Sequence, residues 1–163
     1  MRLYIKQKVF SFADKFTVKD ENGNDLYYVE GEIFSFGKKL HILDANGNEV
    51  ALLAQKLLTF LPKFNIYIGG RLAATLVKEF TFFKPKYRLE GTPLRLSGDF
   101  WAHDYIMDDG QRTVMTLKKE WFTWGDSYVI DIANPDDALL CLAVVLGVDC
   151  AIEMNRSSHH NNN

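Results

Sequence analysis

From Ala138 to Val148 the chain runs ALLCLAVVLGV, an unbroken apolar stretch, and up to Ile152 the only charge it meets is Asp149. A helix apolar on all sides has to be buried on all sides. The flanks punctuate it as a helix over about 135–153. Asn134 suits the N-cap, Pro135 the first helical position, and Asp136 and Asp137 the positive end of the helix dipole. A bilayer crossing needs about 20 apolar residues. The stretch from Ala138 to Ile152 is shorter than that and carries a charge in its last third. The rest of the chain therefore has to wrap around it.

That rest reads as strands and turns. Strands are predicted near 3–9, 15–20, 26–31, 39–44, 49–56, 64–68, 71–79, 86–90, 94–99, 103–107, 112–120 and 127–132. Many alternate, as in Lys15-Phe16-Thr17-Val18-Lys19, where Phe16 and Val18 share a face. Two near-identical frames, Asp20-Glu21-Asn22-Gly23-Asn24 and Asp44-Ala45-Asn46-Gly47-Asn48, carry the Asn-Gly pair expected of type I′ hairpins. Weaker echoes follow at Gly69-Gly70 and Asp109-Gly110. Pro62, Pro85 and Pro93 fall at strand ends or turns, where a missing N–H is harmless.

Repeated hairpins and a helix needing full burial combine into one architecture. The predicted fold is mainly β, a closed antiparallel barrel of about 12 strands around a buried C-terminal hydrophobic α-helix. Eight strands enclose a space that side chains fill, and larger barrels leave a lumen. A dozen leave room for a helix about 10–12 Å wide. Closure also removes the sheet edges. Asp149 is expected near the barrel mouth, capped or wet, because a charge in mid-barrel is costly. One domain is expected over 1–154, with 155–163 a frayed polar tail.

The composition excludes some functions. Nineteen Lys and Arg against 21 Asp and Glu give a net charge of −2, unlike the basic domains that bind nucleic acid broadly. Trp101, Trp121 and Trp124 are expected on the barrel wall or a pocket rim rather than stacked on bases. Cys141 and Cys150 lie on opposite sides of one helix, about 13 Å apart along its axis. They cannot bridge within it. Reduced thiols and the absence of a signal-peptide stretch at the start make the cytoplasm the expected location.

With these segments in place the chain resembles the LURP-one-related family of the tubby-like superfamily. The likeness runs from Tyr4 to Glu153. It is carried by IKQKVFSF (5–12), VEGEIFSFGKKLHILDANGNE (29–49), VKEFTFFKPKY (77–87), GDFWAHDY (98–105) and KKEWFTWGDSYVIDI (118–132), in that order before the apolar helix. The resemblance implies a 12-stranded barrel around a C-terminal helix. It also implies kinship with tubby proteins, which are membrane-associated phosphoinositide binders, and with phospholipid scramblases. The tubby phosphoinositide residues do not align, so none is carried over.

Lys84, Lys86 and Arg88 form the candidate headgroup-binding site. In an extended chain they share one face, three cations within about 14 Å. Phe80, Phe82 and Phe83 lie just upstream, placed to dip into an interface; the ordinary alternative is a solvated strand edge blunted by lysines. Asp126 and Asp131 sit in a segment, 125–132, resembling a proposed scramblase calcium stretch, but lack the further oxygens calcium wants. His41 and His103, with acidic neighbours Asp44 and Asp104, read as strand-surface residues. His159 and His160 belong to the tail. No nucleophile elbow, phosphate loop or metal-ligand spacing is present. No catalytic residue, metal or cofactor is expected.

The expected function is that of a non-catalytic cytoplasmic binding or adaptor protein, peripheral to membranes, recognising anionic phospholipid headgroups or a protein partner, with no nucleic acid. The alternatives are a small-molecule or lipid carrier with a groove at the barrel mouth and, less favoured for want of a spanning helix, a scramblase-like membrane protein. Nothing in the sequence signals the oligomeric state.

Overall fold

A computed structural model describes residues 1–6, 15–34, 37–122 and 125–160. The strands are β1 (Arg2–Lys6), β2 (Lys15–Lys19), β3 (Asp25–Phe34), β4 (Gly37–Leu43), β5 (Glu49–Gln55), β6 (Lys63–Ile68), β7 (Arg71–Lys78), β8 (Tyr87–Glu90), β9 (Arg95–Asp99), β10 (Asp104–Asp108), β11 (Thr113–Phe122) and β12 (Gly125–Ile132). Each pairs antiparallel with the next, and β1 shuts the ring by pairing with both β2 and β12. The closed 12-stranded barrel is the one expected. Positions 7–9, part of the first predicted strand, lie outside the described residues.

Period-two alternation sets the register. Leu3 and Ile5, Phe16 and Val18, Leu40 and Ile42, Phe64 and Ile66, and Tyr105 and Met107 are buried, while the residues between them are half-buried on the outside. The two Asn-Gly hairpins differ from the type I′ expectation. Only Gly23 and Gly47 take left-handed backbone, each at φ 81; Asn22 and Asn46 do not. Asp20 Oδ1 accepts hydrogen bonds from the Asn22 and Asn24 amides at 2.8 and 2.9 Å, and Gly23 N donates to Asp20 O at 3.1 Å. Asp44 repeats this with Asn46, Asn48 and Gly47. The aspartate thus folds the two residues after it into a type I turn, and glycine supplies the left-handed residue that completes it.

Strict up-and-down order gives the barrel two unlike ends. One end holds the tight turns around Gly23, Gly47, Gly69-Gly70, Gly91 and Gly110, together with Met1 and the entry to the helix. The other holds the longer connections, among them 56–62, 79–86 and 100–103.

The helix enters through Asn134, whose Oδ1 accepts a hydrogen bond from Asp136 N at 3.1 Å. After a 3-10 turn (Pro135–Asp137), α1 (Ala138–His160) threads the barrel and emerges at the loop end. From Cys141 to Ile152 every residue is buried, Gly147 included. A Cβ on Gly147 would sit 2.7 Å from Leu76 Cδ2 and 3.3 Å from Leu53 Cδ1, so glycine lets the helix press against β5 and β7. The helix continues to His160 where a frayed tail was expected from 155. No Gly or Pro breaks it, and the Ser157 and Ser158 hydroxyls donate to the carbonyls of Glu153 and Asn155. Residues 161–163 lie outside the described residues. No described helix is long and apolar enough to cross a membrane. Cys141 and Cys150 are free and buried; burial pushes the Cys141 thiol up to about 12 and raises that of Cys150 as well.

Val145 is fully buried at the middle of this helix. An unpaired carboxylate there costs several kcal/mol, against a total stability of roughly 5–15 kcal/mol. Val145→Asp is expected to abolish the cooperative thermal transition seen by circular dichroism. A soluble variant that still melts cooperatively would contradict the central-helix packing.

Candidate functional site

The loop end concentrates exposed apolar side chains. The 56–62 connection presents Leu57, Leu58 and Phe60, the 79–86 connection presents Phe80, Phe82 and Phe83, and Trp101 stands on the 100–103 connection. Phe60, Phe82 and Phe83 are 92%, 85% and 89% exposed. Leu58 is fully exposed at φ 58, a left-handed conformation that costs a non-glycine residue about 1 kcal/mol or more. Phe80 and Phe82 meet edge to face, with ring centroids 5.2 Å apart. A cluster of this kind rimmed by polar residues marks an interaction surface.

Lys84, Lys86 and Arg88 are brought together on one outward face, as the alternation required, with Pro85, Tyr87 and Leu89 buried between and beyond them. They line a groove of about 610 Å³ that also takes in Arg95 and Glu79. The structure adds what the sequence did not show: most of this charge is already answered. Lys84 Nζ lies 3.6 Å from Asp99. Arg88 reaches Glu90 at 2.7 Å and Glu79 at 3.7 Å, and Arg95 reaches Asp108 at 2.9 Å. The Arg88 hydrogen bond holds the Glu90 carboxyl below its usual range. Asp99 is lowered first by the Ala102 amide and then by Lys84. Among the described residues Lys86 alone of the three carries no ion pair.

A second groove, of about 600 Å³, backs onto the first across Pro85. It lies between the 79–86 and 100–103 connections and the last turns of α1. Phe82, Phe83 and Trp101 meet Lys78, Arg156 and His159 there, and no carboxylate lines it. Sequence reasoning missed this constellation because its members come from three segments far apart in the chain.

Beneath the loops lies a buried polar cluster. Asp149 Oδ1 is 2.8 Å from His103 Nε2, with both side chains largely buried. His103 takes φ 54 and stacks on Tyr128, with ring centroids 4.3 Å apart. Phe100, the first residue of the same connection, packs at 4.9 Å against both Tyr87 and Tyr105. Burial raises the Asp149 carboxyl and, with the Asp149 charge, the hydroxyls of Tyr87 and Tyr105. Asp149 is thus capped near the mouth, one of the outcomes anticipated for it.

His41 stands half-buried on the outer face of β4, as expected of a strand-surface residue, but His103 does not: it lies largely buried in the 100–103 connection. Neither pairs with the acid near it in sequence. His103 pairs with Asp149, not Asp104. His41 sits between Glu49, bonded to Nδ1, and Glu32, 3.1 Å from Nε2. Asp44 instead holds its own turn. Burial pulls the His41 pKa down, but Glu49 and Glu32 outweigh it and hold it above 6.5.

Asp131 pairs with Arg2 at 3.0 Å, and the Asp126 side chain lies outside the described residues, so no calcium cradle is assembled from what is described. Among the described residues no group of three His, Cys, Asp or Glu is arranged to hold a metal. Trp121 is exposed on β11 and Trp101 on a groove rim. Trp124 and the His160 side chain lie outside the described residues.

Three comparisons bear on this arrangement. The LURP-one-related family profile matches residues 1–149. The chain is 36% identical over 152 residues to a Bacillus subtilis (strain 168) protein named uncharacterized protein YxjI, covering 93% of this chain and 94% of that one. A crystal structure of an Arabidopsis thaliana protein superposes with a TM-score of 0.59 at 20% identity, covering 91% of this chain and 89% of that one. The last is a likeness of fold.

Two outcomes follow from the histidines. Because the folded pKa of His41 is above its unfolded value, its stabilisation is full below pH 6.5 and fades as pH rises through the folded pKa. The melting-temperature advantage of the native chain over His41→Gln should therefore shrink from pH 6 to pH 9; a constant difference would refute the imidazolium. His103→Ala strands a buried carboxylate and should cost roughly 3–5 kcal/mol in urea unfolding. Asp149→Asn, which removes the charge, should cost less.

Proposed function

This chain belongs to the LURP-one-related family, and we propose that it is a non-catalytic binding protein that docks the loop end of its barrel on an anionic membrane surface. The single observation that carries this reading is the crown of exposed Leu58, Phe60, Phe80, Phe82 and Phe83, beside Lys84 and Lys86. Aromatic and leucine side chains enter the headgroup–acyl boundary, and nearby cations meet anionic lipids.

Magnitudes decide which part dominates. A fully buried phenylalanine contributes roughly 1.5–3 kcal/mol, whereas a lysine or arginine near an anionic surface contributes about 1 kcal/mol. Lys84 and Arg88 already have carboxylate partners, so Lys86 contributes most freely. The apolar crown therefore supplies most of the affinity, and charge adds lipid selectivity. Docking of this kind needs no spanning helix, and it suits a peripheral protein of the cytoplasm.

The carrier reading has less to stand on. The helix fills the barrel interior, so a ligand is left with outer grooves, such as the two of about 600 Å³. The scramblase-like reading finds no spanning helix among the described residues.

Co-sedimentation with vesicles containing phosphatidylserine or phosphatidic acid tests the proposal. The native chain should pellet, less so at high salt. Phe82→Ser with Phe83→Ser should abolish pelleting. Charge reversal at Lys84, Lys86 and Arg88 should weaken it several-fold. Failure of the native chain to pellet at low or physiological salt would overturn membrane docking and point to a protein partner.

A further inference from the structure

We infer that the groove between the 79–86 connection, the 100–103 connection and the end of α1 binds a single anionic phospholipid, its phosphate between Lys78 and Arg156 and its acyl chain over Phe82, Phe83 and Trp101. The inference deepens the membrane-docking reading and rests on it.

Lys78 carries the argument. It is the last residue of β7, half-buried, and no described carboxylate lies within ion-pairing distance of it. Burial alone lowers its pKa. A partly desolvated ammonium without a counter-ion is a cost that an incoming anion relieves. The cations lining the neighbouring groove, Lys86 apart, each touch an acid: Lys84 meets Asp99, Arg88 meets Glu90 and Arg95 meets Asp108.

Arg156 lines the same groove from α1 and, among the described residues, makes no ion pair, though its charge lowers the carboxyls of Asp149 and Glu153. One turn further on, His159 adds a third nitrogen donor. A guanidinium and an ammonium lining one groove suit a phosphate, the guanidinium offering a two-pronged contact.

The apolar part of the lining tells lipid from free phosphate. Phe82 and Phe83 stand almost wholly in water, and Trp101 is 54% exposed. Inorganic phosphate would leave these rings as they are; an acyl chain covers them. The volume, about 600 Å³, falls in the usual range for small-molecule sites. The groove also opens on the end of the barrel that would face the bilayer, so a lipid can enter without leaving the membrane.

The test uses dihexanoyl phosphatidic acid below its micelle concentration, titrated into the full chain and followed by calorimetry and tryptophan fluorescence. Saturable one-to-one binding is expected, at least tenfold weaker for dihexanoyl phosphatidylcholine. Lys78→Gln with Arg156→Gln should weaken it at least tenfold while the melting temperature is kept. Phe82→Ser with Phe83→Ser, at exposed positions that cannot unfold the barrel, should weaken it similarly. Inorganic phosphate competing as strongly as the lipid would overturn the lipid assignment. No saturation by the monomeric lipid, with the native chain still pelleting on vesicles, would overturn the groove and leave docking intact. Saturation without pelleting would keep the groove and remove docking.

Discussion

Everything in this molecule follows from the need to bury a helix that has no polar side. An ordinary surface helix satisfies one stripe and leaves the rest to water. From Cys141 to Ile152, α1 has no stripe to spare, and only a closed wall can cover it. Twelve strands make a ring of the right bore, and the ring in turn needs a filling. Neither part can be stable without the other. The contact is tightest at Gly147, where the absence of a side chain brings helix and wall together against Leu53 and Leu76.

Among the described residues one charge is buried in this interior, and its treatment shapes the functional end. Asp149 is buried where the helix leaves the barrel, and His103 comes down from the 100–103 connection to meet it. That pairing, with the stacking of His103 on Tyr128, holds His103 in a left-handed backbone and so sets the preceding Trp101 outward at the groove rim. The polar cost of the core is thus turned into a fixed position for a surface residue. The opposite end, where Asp20, Asp44 and Asp109 anchor turns, has shorter connections of two to five residues and, among the described residues, no comparable surface.

The legible part of this arrangement was the part written in local periodicity. Alternation at Phe16 and Val18 or Leu40 and Ile42 places the strands within a residue or two, and Asn134-Pro135 places the start of the helix. Lys84, Lys86 and Arg88 share a face because an extended chain puts them there. What alternation cannot supply is the residue across the strand. Asp99 and Glu79 are brought to those cations from other segments by pairing register, and with Glu90, two residues along β8 from Arg88, they remove most of the free charge. The same gap explains the histidines. His41 finds Glu32 and Glu49 on neighbouring strands, and His103 finds an acid 46 positions away. The Asn-Gly turns differ for a local reason: the pair alone favours type I′, but the carboxylate of the aspartate two residues earlier selects the type I form.

By itself the sequence determined the number of strands, their inward faces and the presence of a helix that must be enclosed. Those properties depend on residues close together in the chain, where dihedral preference and hydrophobic period act directly. Only the tertiary structure decided which cations remain unpaired, which loops share an end and which aromatics stand beside Lys78 and Arg156. These depend on strand register and on the helix emerging among the loops. Register and exit are set by how the whole barrel closes, and no short stretch of sequence contains them.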